Sequence, residues 1–456
     1  MHLHRYRLLA SLLLCKLFTF SALAQQPPYD KAPEARPPYY RVRYEASEQP
    51  GELIFPVSYT VWIPPAVDRI RGLVVHQHGC GEGSCRSGQT GAFDLHWQAL
   101  ASRHGCALLA PVYEQPDGSN CQMWCDPRNG SADVFKQALH DLGRMSGHAE
   151  LASAPWAMWG HSGGGHWVGG ISLLYPERTI AAWLRSGVPL VQPEEDQSIR
   201  PYQIDEHVLQ VPLMCNLGTR EGVTQTTGRF AAVWGKNQEF FKTLRRRGGL
   251  VGIAIDPLSS HDCGNQRYLA IPWLDACMSA RLPAEAGEPL RQMPQAESVI
   301  IPWTAGTDRF SQPTPPTQAK NAEGLSIWLP DQKIATAWQH YTRDTKVPDT
   351  TPPPHPRGVQ MIQGHLTWQT EADLESGIAH FEIHHLDRQI AVWPAESTNR
   401  FGRPVFQGLQ YSDTPSMPLV PMRFRVPAEL QSARAEEFRV IAVNTVGLRS
   451  TDEVSQ

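Results

Sequence analysis

Residues 156–175 leave little freedom to the fold around them. Trp156-Ala-Met-Trp159 is a short apolar run, Gly160-His161-Ser162-Gly163-Gly164-Gly165 follows at once, and residues 166–175 have helical spacing. A strand that enters a helix through G-x-S-x-G turns so sharply that the positions beside the serine need residues without bulk. The turn lifts the serine hydroxyl above the sheet. The plain alternative is a glycine-rich turn with an incidental serine, but the strand before and the helix after favour a nucleophile. A phosphate-cradling loop fits worse, because no Lys-Ser or Lys-Thr follows the glycines.

From about Tyr40 onward, apolar strand runs alternate with helical stretches. Residues 57–63, 72–75, 107–112, 156–159, 181–184, 211–217 and 251–255 read as strands, and 93–104, 134–145, 166–175, 229–246 and 268–281 as helices. Within 229–246, Phe230, Val233, Trp234, Phe241 and Leu244 fall on roughly one face. Short apolar strands between helices predict a mostly parallel, doubly wound α/β sheet covered on both faces. After about Pro283 the periodicity fades, and 334–342 reads as a short helix closing this domain. Asp349-Thr-Thr-Pro-Pro-Pro-His-Pro356 is a stiff linker. Beyond it, 366–368, 379–383, 423–426 and 438–443 alternate as strands of a small all-β sandwich. The expected divisions are an α/β domain at 40–345, a Pro-rich linker at 346–357 and a β domain at 358–456.

The first 24 residues stand apart. His2, His4, Arg5 and Arg7 precede a run from Leu8 to Ala24 that is apolar apart from Lys16 and scattered Ser and Thr. A basic start, a short apolar stretch and the small-x-small ending Ala22-Leu23-Ala24 predict a cleaved signal peptide over 1–24. Lys16 leaves the run too short to span about 30 Å of hydrocarbon. The expectation is a secreted protein, extracellular or periplasmic, with no membrane span after cleavage. Cysteines 80, 85, 106, 121, 125, 215, 263 and 277 remain. An even number in an exported chain reads as up to four disulfides, with Cys263 and Cys277 close enough for a local bridge. Zinc fits worse, since neither Cys80-x4-Cys85 nor Cys121-x3-Cys125 has a matching ligand pair nearby. Charged residues are only 19% of the chain and the net charge is −4, which provides no electrostatic footprint for nucleic acid or an anionic membrane.

A serine near its free pKa attacks poorly, so Ser162 needs a base and an acid to orient that base. In this kind of site the chain order is Ser, acid, His. The strand at 211–217 opens into Gly218-Thr-Arg-Glu221-Gly222, putting Glu221 at a strand's carboxyl end. Asp256 and Asp205 are weaker by position. The strand at 251–255 runs into Asp256-Pro-Leu-Ser-Ser-His261-Asp262-Cys263, so His261 lies in the loop after the last strand, where the base belongs. Two oxyanion donors are needed. One is the amide of Gly163, and the other is the amide of Cys80 or Gly81, in the loop after Leu73-Val-Val-His-Gln-His78. His78 reads as a structural loop residue, and Asp262 has no assigned role. The chemistry calls for no metal and no organic cofactor.

His78-Gly79-Cys80 after a strand, Gln98-Ala-Leu-Ala-Ser-Arg-His-Gly105 with Leu108-Leu-Ala-Pro111, Cys121-Gln-Met-Trp124, Gly160-His-Ser-Gly-Gly164 and Tyr175-Pro-Glu-Arg178 form a connected set. Together they resemble the secreted esterases of the polyhydroxybutyrate-depolymerase type, which have the α/β-hydrolase fold. The resemblance is best over residues 70–190. It implies Ser162 as nucleophile, Cys80 as an oxyanion donor, and Trp124 near the acyl or alcohol pocket. His161, beside the serine, is a second substrate-binding candidate. His161 and Gly163 around the serine, and Glu221 where Asp is commoner, depart from the family pattern. Asp349-Thr-Thr-Pro-Pro-Pro, Leu366-Thr-Trp368, Asp373-Leu-Glu-Ser-Gly-Ile378 and Ala442-Val-Asn-Thr-Val-Gly447 resemble a fibronectin type III domain. That resemblance implies a spacer or an element that docks on a polymer or a surface.

The expected function is a serine carboxylic-ester hydrolase acting through an acyl-enzyme on a polymer or polymer-linked ester, either a polyester or an acylated polysaccharide. Trp97, Trp124, Trp159 and Trp167 near the site suit such a substrate, although core packing is the plainer role for Trp159. A serine peptidase of the same fold is the nearest alternative, since the same triad cleaves amides. A non-catalytic surface- or polymer-binding protein is the other.

Overall fold

The computed structural model describes residues 32–193, 199–303, 325–408 and 413–451, and the expected signal peptide lies outside them. Eight strands make one sheet: β1 (Tyr39–Tyr44), β2 (Val57–Trp62), β3 (Gly72–Gln77), β4 (Cys106–Tyr113), β5 (Trp156–His161), β6 (Thr179–Arg185), β7 (Leu213–Gly218) and β8 (Val251–Asp256). Across the sheet the order is β1-β2-β4-β3-β5-β6-β7-β8. β2 runs against both its neighbours and all later pairs are parallel. This order with one reversed strand is the α/β-hydrolase sheet. Strands β3 to β8 are buried along their whole length, which is why they are written as unbroken apolar runs rather than as alternation.

The helices are α1 (Glu82–Gly88), α2 (Leu95–Arg103), α3 (Gln122–Cys125), α4 (Ser131–Ser146), α5 (Gly163–Leu174), α6 (Val233–Arg246), α7 (Arg267–Arg281) and α8 (Gln332–Asp344). Most bury one stripe; α4, for example, buries Phe135, Ala138, Leu139 and Leu142. Among the described residues no helix is long and apolar enough to cross a membrane. The sequence pattern misses β1, whose Arg41 and Arg43 break the apolar signal of a half-buried edge strand. It also misses the antiparallel pair β9 (Val299–Pro302) and β10 (Ser326–Leu329). The helix expected from residue 229 starts only at Val233.

Beyond α8 lie two antiparallel three-stranded sheets. Strands β11 (Arg357–Ile362), β12 (His365–Gln369), β13 (His380–His385), β14 (Arg388–Trp393), β15 (Arg423–Arg425) and β16 (Phe438–Val443) pair in the orders β11-β12-β15 and β14-β13-β16. Leu366, Trp368, Phe381, Ile383, Phe406 and Val440 are in the core of this unit, and Ala99 of α2 joins it. The two units meet through buried charge. Arg267, only 2% exposed, bonds Asp94 through both terminal nitrogens at 3.1 and 2.8 Å and Asp413 through Nε at 3.0 Å. Burial alone would pull the guanidinium pKa down, but Asp413 and Asp94 hold it well above its ordinary value. Arg267→Met leaves two buried carboxylates without a counter-ion, and the expected cost is about 3–5 kcal/mol, read as a lower urea midpoint.

The disulfide expectation needs correction. Cys80–Cys121 is the one bridge among the described residues, and the other six cysteines stay buried thiols. The expected Cys263–Cys277 bridge is not formed: both residues are buried free thiols.

Candidate active site

The loops after β3, β5, β6, β7 and β8 meet above the carboxyl edge of the sheet, where ligands of open α/β sheets bind. Ser162 occupies the turn between β5 and α5 with φ 55° and ψ −119°, a strained conformation for a residue with a side chain. The two residues after it need to be glycine. A Cβ on Gly163 would stand 2.0 Å from Cys80 Sγ, and one on Gly164 2.3 Å from the His78 carbonyl oxygen.

His261 is 2.9 Å through Nε2 from Ser162 Oγ, and 2.6 Å through Nδ1 from Glu221 Oε1. The other oxygen of Glu221 accepts from Ser186 Oγ and from the Gly218 amide, both at 2.7 Å, so the buried carboxylate is fully held. Neither weaker acid candidate reaches His261. Asp256 caps the amides of Leu258 and Ser259, and Asp205 pairs with His207. Asp262 caps the amides of Ser260 and Gly264.

Three residues that pattern alone does not single out support the imidazole. Phe230 stacks on it, with centroids 3.7 Å apart and planes within 5°. It does so because α6 starts four residues later than its spacing predicts, leaving Phe230 in the preceding loop. Arg185 is wholly buried and donates to Ser259 Oγ (3.0 Å) and to the carbonyls of Ser260 (2.9 Å) and Asp262, gripping the loop on both sides of His261. Ser186 holds Glu221, as above. Only the position of Arg185 and Ser186 at the carboxyl end of β6 points to them.

On the oxyanion side, Cys80, Ser162 and Gly163 line one cleft of about 210 Å³. The amide of Gly163 opens α5, where first-turn N–H groups have no partner within the helix. The Gly81 amide donates to Gln115 Oε1 at 3.3 Å, and of the two candidates for the second donor only Cys80 lines the cleft. The bridge to Cys121 ties the Cys80 loop to α3. Cys121→Ser is therefore expected to lower kcat several-fold to about tenfold with KM little changed, since it loosens rather than removes a donor worth about 10²–10³. Steady-state kinetics on a small ester would check this.

The two substrate-binding candidates lie elsewhere. Trp124 has no exposed surface: it stacks on Tyr113 at 4.5 Å and donates from Nε1 to Gln115 Oε1 at 2.8 Å, and it does not line the cleft. His161 is buried beneath the base loop and donates from Nε2 to the His261 carbonyl at 2.7 Å. Burial, with the charges of His261 and Arg185, keeps it neutral by pushing its pKa well below the usual range. Trp97, Trp159 and Trp167 are equally buried and face no substrate. His78 accepts the Tyr113 amide at 3.0 Å and donates to the Gly79 carbonyl. The cleft is instead walled by Gln122, His166, Val188, Val233 and Asn237.

No family model matches the chain, and no curated protein matches it. Among solved structures it is similar to a thermostable esterase at 18% identity and a TM-score of 0.33, over 48% of this chain and 54% of that one. The match thus spans about half the length of that esterase. It is also similar to poly(aspartic acid) hydrolase-1 from Sphingomonas sp. KT-1, at 16% identity and a TM-score of 0.36 over 49% of this chain and 93% of that one. A poly(3-hydroxybutyrate) depolymerase from Bordetella parapertussis is similar at 15% identity and a TM-score of 0.36, over 56% of this chain and 92% of that one. None of these likenesses bears on the site.

Proposed function

We propose that this chain is a secreted serine carboxylic-ester hydrolase. The observation that carries the reading is the unbroken hydrogen-bond chain from Ser162 through His261 to Glu221. Ser162 Oγ attacks the ester carbonyl while His261 Nε2 takes its proton, and Glu221 stabilises the imidazolium through Nδ1–H. The oxyanion rests on the amides of Gly163 and Cys80. His261 then returns the proton to the leaving alcohol, and the acyl group remains on Ser162. Water gives a proton to His261 and attacks the acyl-enzyme; His261 then returns that proton to Ser162 Oγ as the acid leaves.

A disulfide beside the site agrees with an oxidising compartment, and residues 1–24 supply the address. The substrate is an ester whose acyl or alcohol end fits a narrow cleft beside Val188 and Asn237; it extends toward Pro189, Leu190 and Val191, which line an adjoining hollow of about 280 Å³. Such a shape takes one chain end or one pendant ester of a polymer. The C-terminal unit is of fibronectin type III kind. Labelling of purified protein with a fluorophosphonate, followed by peptide mass spectrometry, tests the reading. Label on Ser162 and turnover of aryl esters faster than of the matching anilides is the expected result. A folded, disulfide-intact sample that takes no label would sink it, and faster anilide cleavage would make it a peptidase.

A further inference from the structure

The loop that carries His261 leads directly into α7, and the C-terminal β unit holds the residues at that junction one after another. Arg403 bonds the Asn265 side chain. Asp413 Oδ2 accepts from Gln266 Nε2 at 2.9 Å, and Asp413 Oδ1 accepts from Arg267 Nε at 3.0 Å. Gln407 accepts from the Tyr268 hydroxyl at 3.1 Å. The same short segment reaches the other side of the site. Thr414 Oγ1 donates to the Ser87 carbonyl at 2.8 Å, and Thr90 Oγ1 donates to the Pro415 carbonyl at 2.7 Å. Ser87 lies in α1, the helix that follows the Cys80 loop. Asp413 and Thr414 are buried, so these bonds are shielded from water.

We propose that Asp413 and Thr414, supplied by the C-terminal β unit, are positioning residues of the active site, holding the base loop through α7 and the oxyanion loop through α1. This rests on the roles proposed above for Ser162, His261 and Cys80. A third line runs to the nucleophile strand. Gln266 Oε1 accepts from Trp159 Nε1 at 2.8 Å, and Trp159 lies three residues before Ser162 in β5. Gln266 is thereby fixed with its oxygen toward Trp159 and its amide nitrogen toward position 413. Position 413 has to accept two hydrogen bonds, from Gln266 and from Arg267, and a carboxylate does so where an amide cannot. The C-terminal unit is on this view a part of the catalytic body and not a spacer.

The polarity of these bonds provides the test. Asp413→Asn turns an acceptor into a donor facing Gln266 Nε2, while Arg267 keeps Asp94 as its partner. Misplacement of catalytic groups by a fraction of an ångström is expected to lower kcat on a small ester about tenfold or more, with KM changed less than about twofold. The rate of fluorophosphonate labelling of Ser162 should fall by the same factor. Adding Gln266→Glu reverses both roles, since the new carboxylate accepts from Trp159 and from the new amide, and should restore most of the lost rate. Gln266→Glu alone sets two carboxylates face to face and should be worse than wild type. Thermal melts of each variant show that the folded protein is being compared. If Asp413→Asn does not fold, Thr414→Val takes its place, with an expected loss of a few-fold in labelling rate.

Wild-type labelling with unchanged rates in the folded variants overturns the proposal and leaves the hydrolase reading standing. A slowed Asp413→Asn that the double variant does not rescue also overturns it, because the bond polarity would then not transmit the effect. Absence of label on wild type removes the hydrolase reading and this proposal with it.

Discussion

His261→Ala is expected to lower kcat on a small ester by about 10⁴–10⁶, and Ser162→Ala by as much. The size follows from the geometry. With Nε2 2.9 Å from Ser162 Oγ, the imidazole is the only group placed by the described residues to take the serine proton, and without it the hydroxyl attacks as a neutral, poor nucleophile. Because the two act as one device, the double variant should be no slower than either single one. Glu221→Gln is the informative partner. Its amide can still accept from Ser186 or Gly218, but it no longer stabilises the imidazolium and can select the wrong tautomer, with an expected loss of about 10⁴. KM should move little in all of them. Turnover assays with each variant, beside fluorophosphonate labelling, provide the check. A His261→Ala protein within about tenfold of wild type would mean that another base serves Ser162, and the proposed mechanism would fall.

What the sequence discloses of this site follows the range of the interactions. The turn around Ser162 is legible because its demands are local: a strand, glycines two positions either side of the serine, and a helix within twenty residues. Glu221 and His261 are legible at longer range only because the parallel sheet orders its loops in chain order, so each strand's end predicts a loop on the same edge. Phe230 is hidden by its own periodicity, which places it on an apolar helical face that begins only after it. Arg185 is hidden because an arginine at a strand end reads as a surface group, and nothing local shows that Ser259, Ser260 and Asp262 will bury it. The tryptophans mislead in the opposite direction: large apolar side chains beside a nucleophile are read as a binding surface, and the doubly covered sheet claims them as core. Asp413 is beyond any sequence argument, since its partners Gln266 and Arg267 come from another unit of the fold.

The stability of the protein should fall steeply between pH 6.5 and about 4. His76, His78, His96 and His161 are buried, and burial holds each neutral. The His78 pKa is pushed down to about 4 and that of His96 to about 3. The unfolded chain, with ordinary histidines near pKa 6.5, therefore binds protons below pH 6.5 that the native state refuses. Stability from these groups is complete above pH 6.5 and is lost as pH falls toward the native-state values, by about 3–5 kcal/mol for each of His78 and His96 at full expression. Two carboxyls work the other way. Burial raises Asp94, and it raises Asp373 to about 7, so both take up protons more readily in the folded protein and offset part of the loss. The histidines outnumber them, and Tm measured at pH 8, 6, 5 and 4 should drop accordingly. A flat Tm down to pH 4.5 would show that the buried imidazoles are protonated in the native state after all. His161→Gln separates stability from catalysis: the amide keeps a donor for the His261 carbonyl and cannot titrate. Part of the acid loss should then move to lower pH while kcat at neutral pH stays within a few-fold of wild type.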